Sequence, residues 1–182
     1  MPHDARMLER PRRNRASQAR RDLVRETHLE AKHLVLPLFV HEQEEAVPIA
    51  SMPRQARLGI EGLVAQAREA WELGVSGVAL FPALADELKD PFGRESANPD
   101  GLLQRAVRAL KAALPELLVI TDVALDPYSS DGHDGIVVDG RIDNDATLPV
   151  LAEMAVNQAR AGADLVVTYF ARDLARWIRD GI

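Results

Sequence analysis

Two rhythms alternate along this chain. Short unbroken apolar runs occupy Leu34–Val40 (LVLPLFV), Gly77–Pro82 (GVALFP), Leu117–Val123 and Ala163–Tyr169. Runs of four to eight apolar residues bounded by polar ones predict strands buried on both faces. Between them lie stretches with apolar residues three and four apart. Leu63, Ala67, Ala70 and Trp71 recur this way over Ile60–Leu73, and Gly74 ends that predicted helix. Leu103, Val107, Leu110 and Ala113 do so over 102–113, with Asp100 as the expected cap and Pro115 as the stop. Further helices are predicted over 147–161, ended by Gly162, and over 170–178, with a short one over 21–27. Residues 41–57 and 83–99 read as loops, and Asp139-Gly140 reads as the turn of a hairpin over 137–144. Pro37 weakens the first strand by removing a ladder donor.

Strand and helix thus alternate four times, which predicts a parallel sheet covered by helices. The pattern fits either an open doubly wound sheet or part of a (β/α)₈ barrel. No glycine-rich phosphate loop follows any strand, so nucleotide binding has no support.

Composition narrows the chemistry. The 182 residues include no Cys, which removes disulfides, thiolate nucleophiles and thiolate metal sites. Any metal therefore sits on carboxylate, imidazole or carbonyl, a set suited to hard ions such as Mg²⁺. No apolar run reaches the roughly 20 residues of a membrane span. With no secretory signal pattern, a cytoplasmic location is the default expectation. The net charge of −6 is uneven: residues 1–25 carry eight Arg against three acids, and the rest is acidic. A basic arm, residues 1–28, is expected on an acidic body, residues 29–182. The arm lacks aromatic residues for base stacking, so nucleic acid is not the expected partner.

The densest chemistry lies at 120–135, ITDVALDPYSSDGHDG. Asp122, Asp126, Asp131, Asp134 and His133 share one loop after a strand, where parallel α/β folds place their sites. Turn chemistry alone accounts for many such Asp and Gly residues, and His133 reads first as a loop histidine. This loop resembles the metal loop of the porphobilinogen synthase (5-aminolevulinate dehydratase) family. RPRR at 10–13, LVRET at 23–27, LPLFV at 36–40, SMP at 51–53, ALFP at 79–82, ELKD at 87–90, NPDGL at 98–102, ALDPY at 124–128, NDAT at 144–147 and AGAD at 161–164 resemble that family in order. TYFA at 168–171 and RW at 176–177 resemble its C-terminal end.

The resemblance implies a partial (β/α)₈ barrel of about four parallel strands with an N-terminal arm that pairs subunits into a homo-oligomer. It implies condensation of two 5-aminolevulinate molecules to porphobilinogen, on the way to haem and other tetrapyrroles, by Schiff bases on two strand-end lysines. It also implies Asp126 and Asp134, with Asp122 ahead of them, as metal ligands, Mg²⁺ being the expected ion. Ala124 stands at a third position where zinc-type members have Cys. Phe81 and Tyr169 are implied as substrate-binding residues.

The departures are Asp131 where the family has His, Arg54 where it has Gly after Ser-Met-Pro, and above all the lysines. Lys32, Lys89 and Lys111 are the only three, none ends a predicted strand, and Lys111 reads as a solvated helix residue. No catalytic residue is therefore assigned, and inactivity as a lone chain is expected. The segment AGADLVVTYFA begins like the family's fourth strand and ends like its eighth, as if the intervening portion were cut out in frame. As a fourth strand, 163–169 belongs beside 117–123; as an eighth, beside 34–40. Chain order favours the first. The rival reading is a non-catalytic interaction protein that pairs through exposed barrel edges or the arm.

Overall fold

The computed structural model describes residues 11–169. The expected helix over 170–178 lies outside the described residues. The chain divides into two compact units, Met1–Glu30 and Ala31–Ile182.

In the first unit a 3₁₀ turn, Pro11–Arg15, leads into α1, Gln18–Leu23, three residues earlier than the predicted helix start. The reason is a cap: the Ser17 hydroxyl accepts from the Arg20 N–H, 3.3 Å away.

The second unit is built on β1 (Val35–Val40), β2 (Val47–Pro48), β3 (Ala56–Leu58), α2 (Ile60–Glu72), β4 (Gly77–Pro82), α3 (Leu102–Ala113), β5 (Leu118–Asp122), β6 (Val137–Val138), β7 (Arg141–Ile142), α4 (Asn144–Ala161) and β8 (Leu165–Val167). The sheet order is β2-β3-β1-β4-β5-β8. Strands β1, β4, β5 and β8 run parallel, and β8 pairs with β5 through Ile120↔Leu165 and Asp122↔Val167. The segment at 163–169 therefore takes the fourth-strand position. Strand β3 touches β1 only at Phe39 and Val40. Around Pro37 strand β1 is thus a sheet edge on that side, where a missing N–H is tolerated.

One face of the sheet is closed. Leu38, Val40, Val78, Leu80 and Val119 pack with Leu63 and Ala67 of α2 and with Leu103, Ala106, Val107 and Leu110 of α3. A second cluster joins α4 to the loop after β5 through Val123, Leu125, Tyr128, Leu151 and Met154. Of the four residues expected on the buried face of α2, Leu63, Ala67 and Ala70 are buried and Trp71 is 39% exposed.

Two other expectations change. Asp100 does not cap α3; Gly101 occupies the cap and Asp100 pairs with Arg108 at 3.1 Å. Helix α4 begins at Asn144, three residues early, because the Asp143 carboxylate accepts from the Ala146 N–H. Pro149 consequently lies inside α4, on an exposed position. The hairpin forms as predicted, with φ of 51° at Asp139 and 73° at Gly140, the signs a two-residue type I′ turn needs.

Candidate functional site

The C-terminal ends of β4, β5 and β8 bound an open cavity of about 360 Å³ lined by Ala79, Phe81, Ile120, Asp122, Val167, Thr168 and Tyr169, among others. Parallel pairing puts these ends side by side, so residues 40 and more positions apart share one mouth. Phe81 is held by Phe39 on the neighbouring strand, ring centroids 5.6 Å apart. Tyr169 stands at the rim, 90% exposed. Both sequence-predicted substrate residues therefore line the same cavity as Asp122. Thr168, the first residue of the TYFA motif, also lines it, a position to which the sequence assigned no role.

Asp122 is held from behind. Gln158 of α4, fully buried, donates to the Asp122 carbonyl at 2.9 Å and accepts from the Thr121 hydroxyl at 2.8 Å. A lone Gln within a helix pattern carries no sequence signal for this role.

The acidic loop continues from Asp122. Leu125 N–H donates to the Asp134 carboxylate at 2.5 Å, folding the two ends of the loop onto each other. Ser129 accepts from the Asp131 N–H at 3.2 Å. Asp131 and His133 are both exposed. Desolvation raises the Asp122 carboxyl above the ordinary range, and the charges of Asp134 and Asp126 raise it further. Asp126 is raised by desolvation and then by Asp134. The three predicted carboxylates thus sit close enough to repel one another. Their chemistry, oxygen donors with no thiolate, fits a hard cation. Among the described residues, no group of three such donors is already gathered closely enough to enclose a metal.

The lysines lie elsewhere. Lys111 is paired rather than free in solvent: its ammonium donates to the Pro115 and Leu117 carbonyls at 2.8 and 3.1 Å and to the Asp164 carboxylate at 2.9 Å. Helix α3 ends beside the starts of β5 and β8, so Lys111 reaches their N-terminal ends. That end of a parallel barrel serves stability, while chemistry occupies the other. Lys89 is tied to Asp86 at 2.7 Å and borders a separate cleft with His41, Glu42 and Arg57. Lys32 lies in a 3₁₀ turn before β1.

Four parallel strands, helices over one face and a largely apolar cavity with Asp122 at their C-terminal ends match half of a (β/α) barrel. The family model for delta-aminolevulinic acid dehydratase matches residues 8–175. The chloroplastic delta-aminolevulinic acid dehydratases of Selaginella martensii and Hordeum vulgare are each 54% identical to it, over 163 and 162 residues. Each alignment covers 88% of this chain, but 39% and 38% of the relative. A crystal structure of the Toxoplasma gondii ME49 enzyme, delta-aminolevulinic acid dehydratase or porphobilinogen synthase, in complex with the reaction product porphobilinogen superposes with a TM-score of 0.87 at 50% identity. That superposition covers 90% of this chain and 47% of the other.

The chain belongs to the delta-aminolevulinic acid dehydratase family, and it spans less than half the length of these relatives. The cytoplasmic expectation does not stand: these relatives are named chloroplastic.

Proposed function

We propose that this chain carries the substrate-recognition and carboxylate half of a porphobilinogen synthase site, and that alone it does not condense 5-aminolevulinate. The observation that carries the proposal is the position of the lysines. A Schiff-base lysine must be an unprotonated amine at the substrate cavity, yet Lys111 is held by a carboxylate at the opposite end of the sheet and Lys89 is tied to Asp86. Phe81 would lie against the carbon chain of bound 5-aminolevulinate, and the Tyr169 hydroxyl would donate to its carboxylate.

Asp126 and Asp134, with Asp122 behind them, would hold a magnesium-like cation whose remaining ligands are water. Such a cation, when bound, would offset the carboxylate charge and polarise a substrate oxygen. The basic arm would join copies of the chain into a homo-oligomer. A colorimetric porphobilinogen assay on the purified chain tests the reading. No colour above a protein-free blank is expected with Mg²⁺ present, and steady turnover proportional to protein would refute it.

A further inference from the structure

Among the described residues, one sheet face has no partner. Registered neighbours on parallel strands point the same way, so Val35, Pro37 and Phe39 of β1 share a face with Gly77, Ala79 and Phe81 of β4. Leu118, Ile120 and Asp122 of β5 and Leu165 and Val167 of β8 continue it. None of these residues belongs to either buried core cluster. Val35, Leu118, Leu165 and Val167 are 48%, 42%, 49% and 53% exposed. The face carries a single charge, Asp122, at its rim. Both sheet edges beside it are open as well. Within the described residues β8 pairs on one side only, and β1 is covered by β3 only at Phe39 and Val40.

We infer that a second copy of this chain covers this face, each copy supplying four of the eight strands of a closed parallel barrel. Two observations select a second copy over other occupants. Four parallel strands are half of the eight that close such a barrel. A two-fold axis along the strands keeps every strand parallel and sets β8 of each copy beside β1 of the other, so both open edges are paired at once. The interface is then isologous, the commonest symmetry of soluble oligomers. The seam at β1 runs over Val35 to Leu38, where Pro37 withholds one ladder bond. The cavity bounded by Phe81, Asp122 and Tyr169 would then open into the interior shared by the two copies. The inference is independent of whether the chain turns over 5-aminolevulinate.

Sedimentation equilibrium on the full chain tests it, alongside Val167→Lys, Leu165→Lys and an arm variant, Arg20→Glu with Arg21→Glu. Circular dichroism establishes that each variant folds. The expected result is a dimer that persists in the arm variant, where any larger arm-linked species is lost, and whose dissociation constant rises about 100-fold or more when either strand substitution is added. The two strand variants replace each other if one fails to fold, since both positions are half exposed. A monomeric wild type at about 100 µM, or a dimer that survives Val167→Lys and Leu165→Lys, would overturn the inference. So would a dimer abolished by the arm variant alone.

Discussion

Arg54 shows how a single residue can record a departure from a family pattern. Met52 to Gln55 form a turn closed by the Gln55 N–H on the Met52 carbonyl at 3.0 Å. Pro53 occupies its second place, and Arg54 the third with φ of 69°. This is a type II turn, whose third place favours glycine because a Cβ there is strained. The Gly expected after Ser-Met-Pro was thus legible from the motif, but its reason becomes visible only in the backbone. Arg54→Gly is expected to stabilise the fold by about 0.5–1 kcal/mol, the relief of strain less the added freedom of the unfolded chain. Urea denaturation measures it, and a loss of stability would contradict the turn assignment.

Lys111 and Asp164 give the second residue-scale prediction. Burial raises the Asp164 carboxyl, but the Val119 N–H at 2.8 Å and the Lys111 ammonium outweigh it and hold it below its usual 3.8. A carboxyl lowered on folding adds stability above its unfolded value, and that stability is lost as pH falls through the lower, folded value. Asp164→Asn is therefore expected to cost about 1–2 kcal/mol near pH 7 and progressively less below pH 3.8, as read by denaturant midpoints across the acid range. An effect independent of pH would rule out the ion pair as its cause. The sequence placed Lys111 on a helix correctly but took it for a solvated residue. Which backbone carbonyls a helix end will meet depends on packing between elements, and no local pattern encodes that.

At the scale of elements, the four principal strands and the helices between them were readable, because burial on one or two faces imposes periods of its own. What escaped the sequence were elements defined by partners. Strands β2 and β3 are two and three residues long and exist only because they pair with each other and with the end of β1. The position of β8 was a choice between two neighbours, and chain order chose correctly. Helix α4 is anchored to β5 through Gln158, which bridges the Thr121 hydroxyl and the Asp122 carbonyl inside the core. Gln158→Leu would leave both groups unpaired and is expected to cost about 2–4 kcal/mol. Thermal or chemical unfolding checks this. Thr121→Val in the Gln158→Leu background should recover part of the loss, since it removes one orphaned group; no recovery would separate the two residues.

For the whole molecule, a family match over residues 8–175 coexists with less than half of the relatives' length. The cavity, the acidic loop and the strand ends were legible as a family signature at 120–135. Their convergence with Phe81 and Tyr169 depends on parallel pairing between distant strands, which the sequence implied only through the resemblance. The central claim rests on the lysines: among the described residues, none lines the cavity at the ends of β4, β5 and β8. Borohydride reduction in the presence of 5-aminolevulinate, followed by intact mass, tests this most directly, because it fixes any Schiff base as a stable adduct whether or not the reaction completes. The chain's mass is expected to stay unchanged under conditions that label a full-length relative. A stoichiometric adduct mapping to Lys32, Lys89 or Lys111 would contradict the account.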